Sequence, residues 1–320
     1  MDSQGKLKLK GFAFMFLSSS LMGGIGAFAR FIEAPGMFIS FCRSFSGFIG
    51  MVLIFAVLGR FKKLKELKFS PMILLSGVFL GLLSGLYVMS TQMTTLSNAA
   101  FLIYTGPIYS TVLATIFLKE PFTKVTALSL VAVFVGCLLI IGIIKYTSAD
   151  GFAITLDLDP KYMQGNLVAL ASGVAYGLFL FFSRYRTDVD SDVRSLFNFL
   201  FAICTIGAIL VFSPPDLSGM TTRGWIVLVI AACVTGFGAF FFLTVAAKIL
   251  LAGELATISY QETIMATLLG IALFSEPISL MQLIGGGLIV AGGVSQIVFS
   301  THQQKKSQKT AIEEGVTAAH

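Results

Sequence analysis

Charge is scarce in this 320-residue chain. Asp, Glu, Lys and Arg make up 12% of it, where soluble globular domains carry about 25%. So few charges cannot cover a water-facing surface, and a soluble domain is excluded. Histidine is scarcer still. Both copies, His302 and His320, lie in the C-terminal tail. That removes histidine-rich metal centres and Ser/His or Cys/His pairs from the apolar body. The four cysteines, Cys42, Cys137, Cys204 and Cys233, fall in apolar segments without metal-ligand spacing. They read as small packing residues. No G-x-x-x-x-G-K-[ST] stretch is present, so nucleotide-driven work is not expected of the chain. No small-residue cleavage site follows the first apolar stretch, which reads as a span and not a removed signal peptide.

What the chain has instead is apolar length. Hydrophobic residues make up 56% of it, in runs of about 20 residues, enough to cross a bilayer as a helix. Strands of a membrane barrel alternate and are about half as long. Within lipid each backbone group needs a partner in its own segment, so the runs are helices. Ten spans are predicted, near 11–30, 37–59, 71–91, 97–118, 124–144, 164–184, 195–212, 224–246, 254–274 and 280–299. The expected fold is an all-α integral membrane protein.

The formal charge of +6 follows topology. With the N-terminus in the cytoplasm, most Lys and Arg fall in cytoplasmic segments. Arg30, Lys145, Lys161 and Arg223 are left in outer loops, and Arg43 inside the second span. Both termini are therefore expected inside. No basic face interleaved with aromatics is present, so nucleic acid is not an expected partner. The "RFKKLKELKFSP" loop is expected to rest on anionic headgroups. The 301–320 tail is expected to be disordered, and 149–163 to be a solvated outer linker.

The chain also repeats. A shift of 156 aligns Tyr104 with Tyr260, Glu120 with Glu276, Pro121 with Pro277 and Gly136 with Gly292. A shift of 154 aligns Gly11, Gly23 and Arg30 with Gly165, Gly177 and Arg184. The units are 1–148 and 164–300, five spans each. Because five is odd, the copies enter the membrane from opposite sides. Inverted repeats of this kind are typical of secondary transporters, with a site near the midplane.

The helix count, the duplication, the "P-x12-E-P" pattern of Pro107, Glu120 and Pro121, and Arg43 in "FCRSFSGFIG" together resemble the ten-helix, EamA-like branch of the drug/metabolite transporter superfamily. The resemblance covers nearly the whole chain. It implies transport of small metabolites, commonly export of amino acids or similar compounds, across a plasma membrane. It implies a central cavity among helices 1, 3, 4, 6, 8 and 9. No cofactor is expected. The chain departs from the pattern where Thr263 stands in place of the second copy's proline, so the ninth helix is expected to lose a kink.

Candidate site residues follow from cost. Glu262 lies about eight residues, or about 12 Å, into the ninth span, too deep to snorkel. Intramembrane carboxylates usually face a cavity or a partner. It reads as a proton-coupling group or counter-ion for an amine, against a structural carboxyl. Gln261 adjoins it but points about 100° away around the helix. Tyr104 and Tyr260 are equivalent in the two copies and could face each other across the pseudo-symmetry axis. Tyr87 and Tyr176 are further candidates, whereas Tyr109 reads as packing. Arg43 either binds an anionic group or pairs with Glu33. Arg30 is a candidate outer gate. Asn98 and Glu254 read as helix caps, and Glu120 and Glu276 as turn and capping residues. Gly77, Gly81 and Gly85 read as a close-packing seam, within one chain or between two.

The expected activity is alternating-access transport, proton-coupled through Glu262. Uncoupled exchange, facilitation or flipping of a lipid-linked carrier is the alternative. Expected partners are a small-molecule substrate, the bilayer and protons, with the chain a monomer or homodimer.

Overall fold

Gly142 ends one helix in the left-handed conformation, φ +89°, and opens the short segment between the two halves. The computed structural model describes residues 3–65, 69–119, 123–147, 151–154, 159–186, 189–247, 249–250, 255, 258–295 and 298–299. The expected tail at 301–320, Glu120, Glu254 and part of the 149–163 linker lie outside them.

The first half comprises α1 (Ser3–Gly23), α2 (Ile25–Phe31), α3 (Gly36–Val57), α4 (Lys62–Lys65), α5 (Pro71–Met93), α6 (Leu96–Ile103), α7 (Gly106–Phe117) and α8 (Lys124–Ile141). The second comprises α9 (Pro160–Ser183), α10 (Ser191–Phe212), α11 (Thr222–Ala231), a π-helical turn (Ala232–Gly238), α12 (Ala239–Ala247), α13 (Gln261–Phe274) and α14 (Leu280–Ser295). Among the described residues eight helical stretches are long and apolar enough to cross a membrane. Two shorter apolar helices, Gln261–Phe274 and Leu280–Ser295, stand where the ninth and tenth spans are predicted. The spanning body is helical. Between the halves, β1 (Ile144–Thr147) pairs antiparallel with β2 (Gly151–Ile154), a hairpin that leads into the region expected to be a solvated linker.

Capping explains the local starts. Ser70, Thr95, Thr123, Asp159, Asp190 and Thr221 each accept a backbone N–H in the first turn of the following helix. Large apolar side chains point outward. Val57, Val211, Phe212 and Leu128 are highly exposed, the placement expected of lipid-facing groups. The interior holds apolar clusters around residues such as Ile39, Phe55 and Leu102, and small polar residues among them. Ser18, Ser40, Ser90, Thr91, Asn98, Asn166 and Thr235 are all buried. In lipid, close backbone approach and interhelical hydrogen bonds hold helices together.

The glycine seam is internal. A Cβ on Gly77 would stand 2.6 Å from Phe201 Cβ, and one on Gly81 2.9 Å from the Ala202 carbonyl, so α5 lies against α10 there. Gly85 meets Met37 of α3. On α9, Gly173 and Gly177 approach the carbonyls of Leu102 and Gly106, which brings α6 and α7 onto that helix. The basic loop that follows α3 carries two ion pairs. Arg60 pairs with Asp192, and Lys63 with Asp190, so the loop is anchored to the start of α10.

Candidate functional site

Two helices break at equivalent points. The fourth span bends between α6 and α7 at Tyr104–Thr105, where Pro107 has no N–H to donate. There Ile108 N bonds the Thr105 carbonyl at 3.1 Å, an i→i+3 turn. The ninth span is interrupted just before Gln261, with Tyr260 as the cap of α13. This corrects the expectation of a continuous helix without a kink. The Thr263 amide bonds the Tyr260 carbonyl at 3.0 Å, one residue short of the α pattern. Thr263 Oγ1 donates to the same carbonyl at 2.7 Å. A threonine side chain bonding locally to the backbone can replace a proline's effect. Glu262 is consequently in the first turn of a half-helix and not deep within a full one. Backbone N–H groups and the positive end of the helix dipole gather there.

The two breaks meet. Tyr104 and Tyr260 have ring centroids 4.8 Å apart, and Tyr104 and Tyr176 6.1 Å apart, edge to face. The Tyr104 hydroxyl lies 2.8 Å from Glu262 Oε2 and 2.7 Å from the Ser259 carbonyl. Glu262 interacts electrostatically with Arg43, Tyr87 and Tyr176. Five elements therefore converge on one carboxyl: α3, α5, the α6–α7 break, α9 and α13. Tyr104 and Tyr87 are each 4% exposed, while Glu262 and Gln261 are only partly buried.

Arg43 does not pair with Glu33. Its Nε donates to Thr235 Oγ1 at 2.9 Å, and longer contacts of 3.4 and 3.5 Å reach Ser84 Oγ and the Thr235 carbonyl. All three acceptors are neutral. Glu33 instead accepts from Thr221 at the start of α11. The hydroxyls of Tyr87 and Tyr260 are buried without a hydrogen-bond partner among the described residues. A Cβ on Gly293 would overlap the Tyr260 hydroxyl, so that ring fills a glycine notch on α14. Tyr109 packs on Gly177, as expected.

Thr235 and the π-helical turn around it escaped the sequence reading. The extra residue per turn aims Thr235 at α3, where it accepts from Arg43 and donates to the Ala231 carbonyl at 2.7 Å. π-turns of this kind are frequent at functional sites. The legible signal is "TGFG": a Cβ on Gly236 would stand 2.5 Å from the Arg43 carbonyl.

A second cluster lies at the other end of α13. Arg30 forms a 2.6 Å ion pair with Glu276 and donates to the carbonyls of Thr91 and Thr94 at 2.8 and 2.6 Å. Its guanidinium stands 4.8 Å over the Phe274 ring. Glu276 also accepts from Leu96 N at 2.9 Å. Glu276 caps a helix, but one from the other repeat. Asn98 is not the cap expected. Thr95 caps α6, and Asn98 bridges Asn166 and Gln282 at 3.1 and 2.8 Å.

Comparison with known proteins gives a consistent answer. None of the curated proteins matches the chain. A solved crystal structure of another protein covers 94% of this chain with 99% of its own, at TM-score 0.57 and 19% identity, a likeness of fold alone. The sequence model of the EamA-like transporter family matches residues 9–142 and 163–295, the two copies read in the sequence. The chain belongs to the EamA-like transporter family, a family of multi-pass membrane transporters of the drug/metabolite superfamily.

Proposed function

We propose that this protein is a proton-coupled secondary transporter that exports amino acids or other amine-bearing metabolites by alternating access. Its spans number ten, in inverted halves 1–148 and 164–300, with both termini cytoplasmic and the plasma membrane as its place. Glu262 exchanges a proton for the substrate amine. Tyr104, Tyr260, Tyr176 and Tyr87 contribute phenol faces and hydroxyls, Gln261 an amide, and Arg43 a fixed positive charge. The observation that carries this reading is the Tyr104–Glu262 hydrogen bond, which joins the broken helices of both repeats at one carboxyl. Broken helices whose half-helix termini face a midplane site are a recurring transporter device. The Arg30–Glu276 pair then acts as the outer gate, holding helix ends of both repeats together.

The test uses purified protein in proteoliposomes with a trapped pH dye. Amines, amino acids and anions are screened for substrate-driven proton flux, with Glu262→Gln beside the parent. The expected result is flux with an amine-bearing substrate in the parent and carriage without proton movement in the variant. A folded variant that moves protons like the parent would refute the assignment. Substrate movement without protons in the parent would indicate uncoupled exchange or facilitation.

A further inference from the structure

A single hydroxyl hydrogen stands between two acceptors at the centre of this protein. Tyr104 Oη is 2.7 Å from the Ser259 carbonyl and 2.8 Å from Glu262 Oε2. Both distances are those of good O–H···O bonds. A phenol has one hydrogen to donate, and an ionised carboxylate has none. If Glu262 were ionised, one of the two contacts would bring lone pairs together without a hydrogen. Both are satisfied when Glu262 carries a proton. The carboxylic acid then donates to Tyr104 Oη, and Tyr104 donates to the Ser259 carbonyl.

The carbonyl at the far end of this chain is not an ordinary one. In a continuous α-helix the Ser259 carbonyl would accept from the Thr263 amide. At the break that amide bonds the Tyr260 carbonyl instead, at 3.0 Å. A hydroxyl from the opposite repeat takes its place on Ser259. Tyr104 therefore supports the interrupted form of the ninth span, and does so with the hydrogen that Glu262 competes for.

We propose that Tyr104 couples the protonation of Glu262 to the shape of the ninth span. With Glu262 protonated, Tyr104 bonds the Ser259 carbonyl and the break is held. With Glu262 ionised, the phenol turns to the carboxylate, because a charge-assisted bond is the stronger. The Ser259 carbonyl then loses this donor and regains the Thr263 amide, so the span closes towards a continuous helix. No covalent bond changes. One proton leaves Glu262 and one hydroxyl hydrogen changes acceptor. This rests on the reading of Glu262 as a proton-exchanging group. Among the described residues, the other charged or titratable groups that interact with this carboxyl are Arg43 from α3, Tyr87 from α5 and Tyr176 from α9. Tyr104 is thus a positioning residue for the ninth span, separate from any contact it makes with substrate.

The experiment measures two things on purified protein in nanodiscs, between about pH 5 and about pH 9. Infrared difference spectra follow the Glu262 carboxyl band, assigned by its loss in Glu262→Gln. Hydrogen exchange of peptides spanning residues 258–266, corrected for intrinsic rates, follows the break. In the parent, protection of the 261–263 amides rises about fivefold or more as the carboxyl band disappears, the change expected from one buried carbonyl exchanging donors. Tyr104→Phe keeps a titrating carboxyl band but shows flat exchange. Glu262→Gln holds the acid-side exchange pattern at every pH, which keeps the test decisive if Tyr104→Phe fails to fold. A parent whose exchange pattern ignores a titrating Glu262, or a Tyr104→Phe protein that switches like the parent, overturns the coupling alone. A carboxyl band that never changes overturns the proton-exchange reading and this coupling with it.

Discussion

Replacing Glu276 by glutamine should open the outer face. Glu276 is only 8% exposed and holds Arg30, itself 20% exposed, at 2.6 Å. It also accepts the Leu96 amide, so one carboxylate ties the ends of α2, α13 and α6. Breaking one side of a buried ion pair costs about 3–5 kcal/mol. Arg30 retains two backbone carbonyls and some solvent, which lowers the expected loss to about 2 kcal/mol. With the pair acting as the proposed outer gate, that loss falls on the outward-closed state, because the tie joins the two repeats. The closed-to-open ratio should drop roughly thirtyfold. The assay replaces the four cysteines and places a reporter at Ser97, which is 2% exposed in the first turn of α6. Labelling from outside by a membrane-impermeant maleimide should accelerate in Glu276→Gln. The double exchange Arg30→Glu with Glu276→Arg should recover part of the slow rate. A folded Glu276→Gln protein that labels at the parent rate would refute the gate.

Three further outcomes follow from the same geometry. Thr235→Val keeps the side chain's shape but removes the acceptor of Arg43 Nε. An unbonded buried donor costs about 1–3 kcal/mol, visible as a lower midpoint of thermal unfolding in detergent. Gly77→Ala should lower that midpoint as well, since its Cβ would press on Phe201 and the Asn198 backbone. Such overpacking costs about 1–3 kcal/mol, whereas Gly219→Ala, with nothing within 4 Å, should be close to neutral. The acid limb of stability should depend on Asp190 and Glu33, both outside the spans. The Lys63 ammonium bonded to Asp190 holds that carboxyl below its ordinary value despite some burial, and the Thr221 hydroxyl and amide do the same for Glu33. A depressed folded value means the contribution is present above the unfolded value and is lost as pH falls through the folded one. Asp190→Asn should flatten the fall in melting temperature below about pH 4, the ordinary carboxylate range, and an unchanged profile would remove the Lys63 bond from the account.

Much of the architecture lies in the one-dimensional pattern. Apolar length sets the helices, because no other open structure satisfies its backbone in lipid. The duplication of Tyr104 and Tyr260, or of Gly136 and Gly292, sets the two-repeat organisation. Cost alone picks out Glu262, since an intramembrane carboxyl without a purpose is expensive. The interruption before Gln261 is not legible in hydropathy, which does not register a local bond made by Thr263 Oγ1.

What the sequence by itself determined is the class of molecule, its apolar helical character and the residues that are costly to bury. Only the tertiary structure decided who their partners are. Arg43 meets Thr235 and not Glu33, Arg30 meets Glu276, and Tyr104 reaches Glu262 across 158 residues of chain. The physical reason is range. Hydropathy and capping act within a turn or a span and are written locally. A hydrogen bond between repeats depends on where glycines such as Gly173 and Gly177 let helices touch and where π and i→i+3 turns aim a side chain.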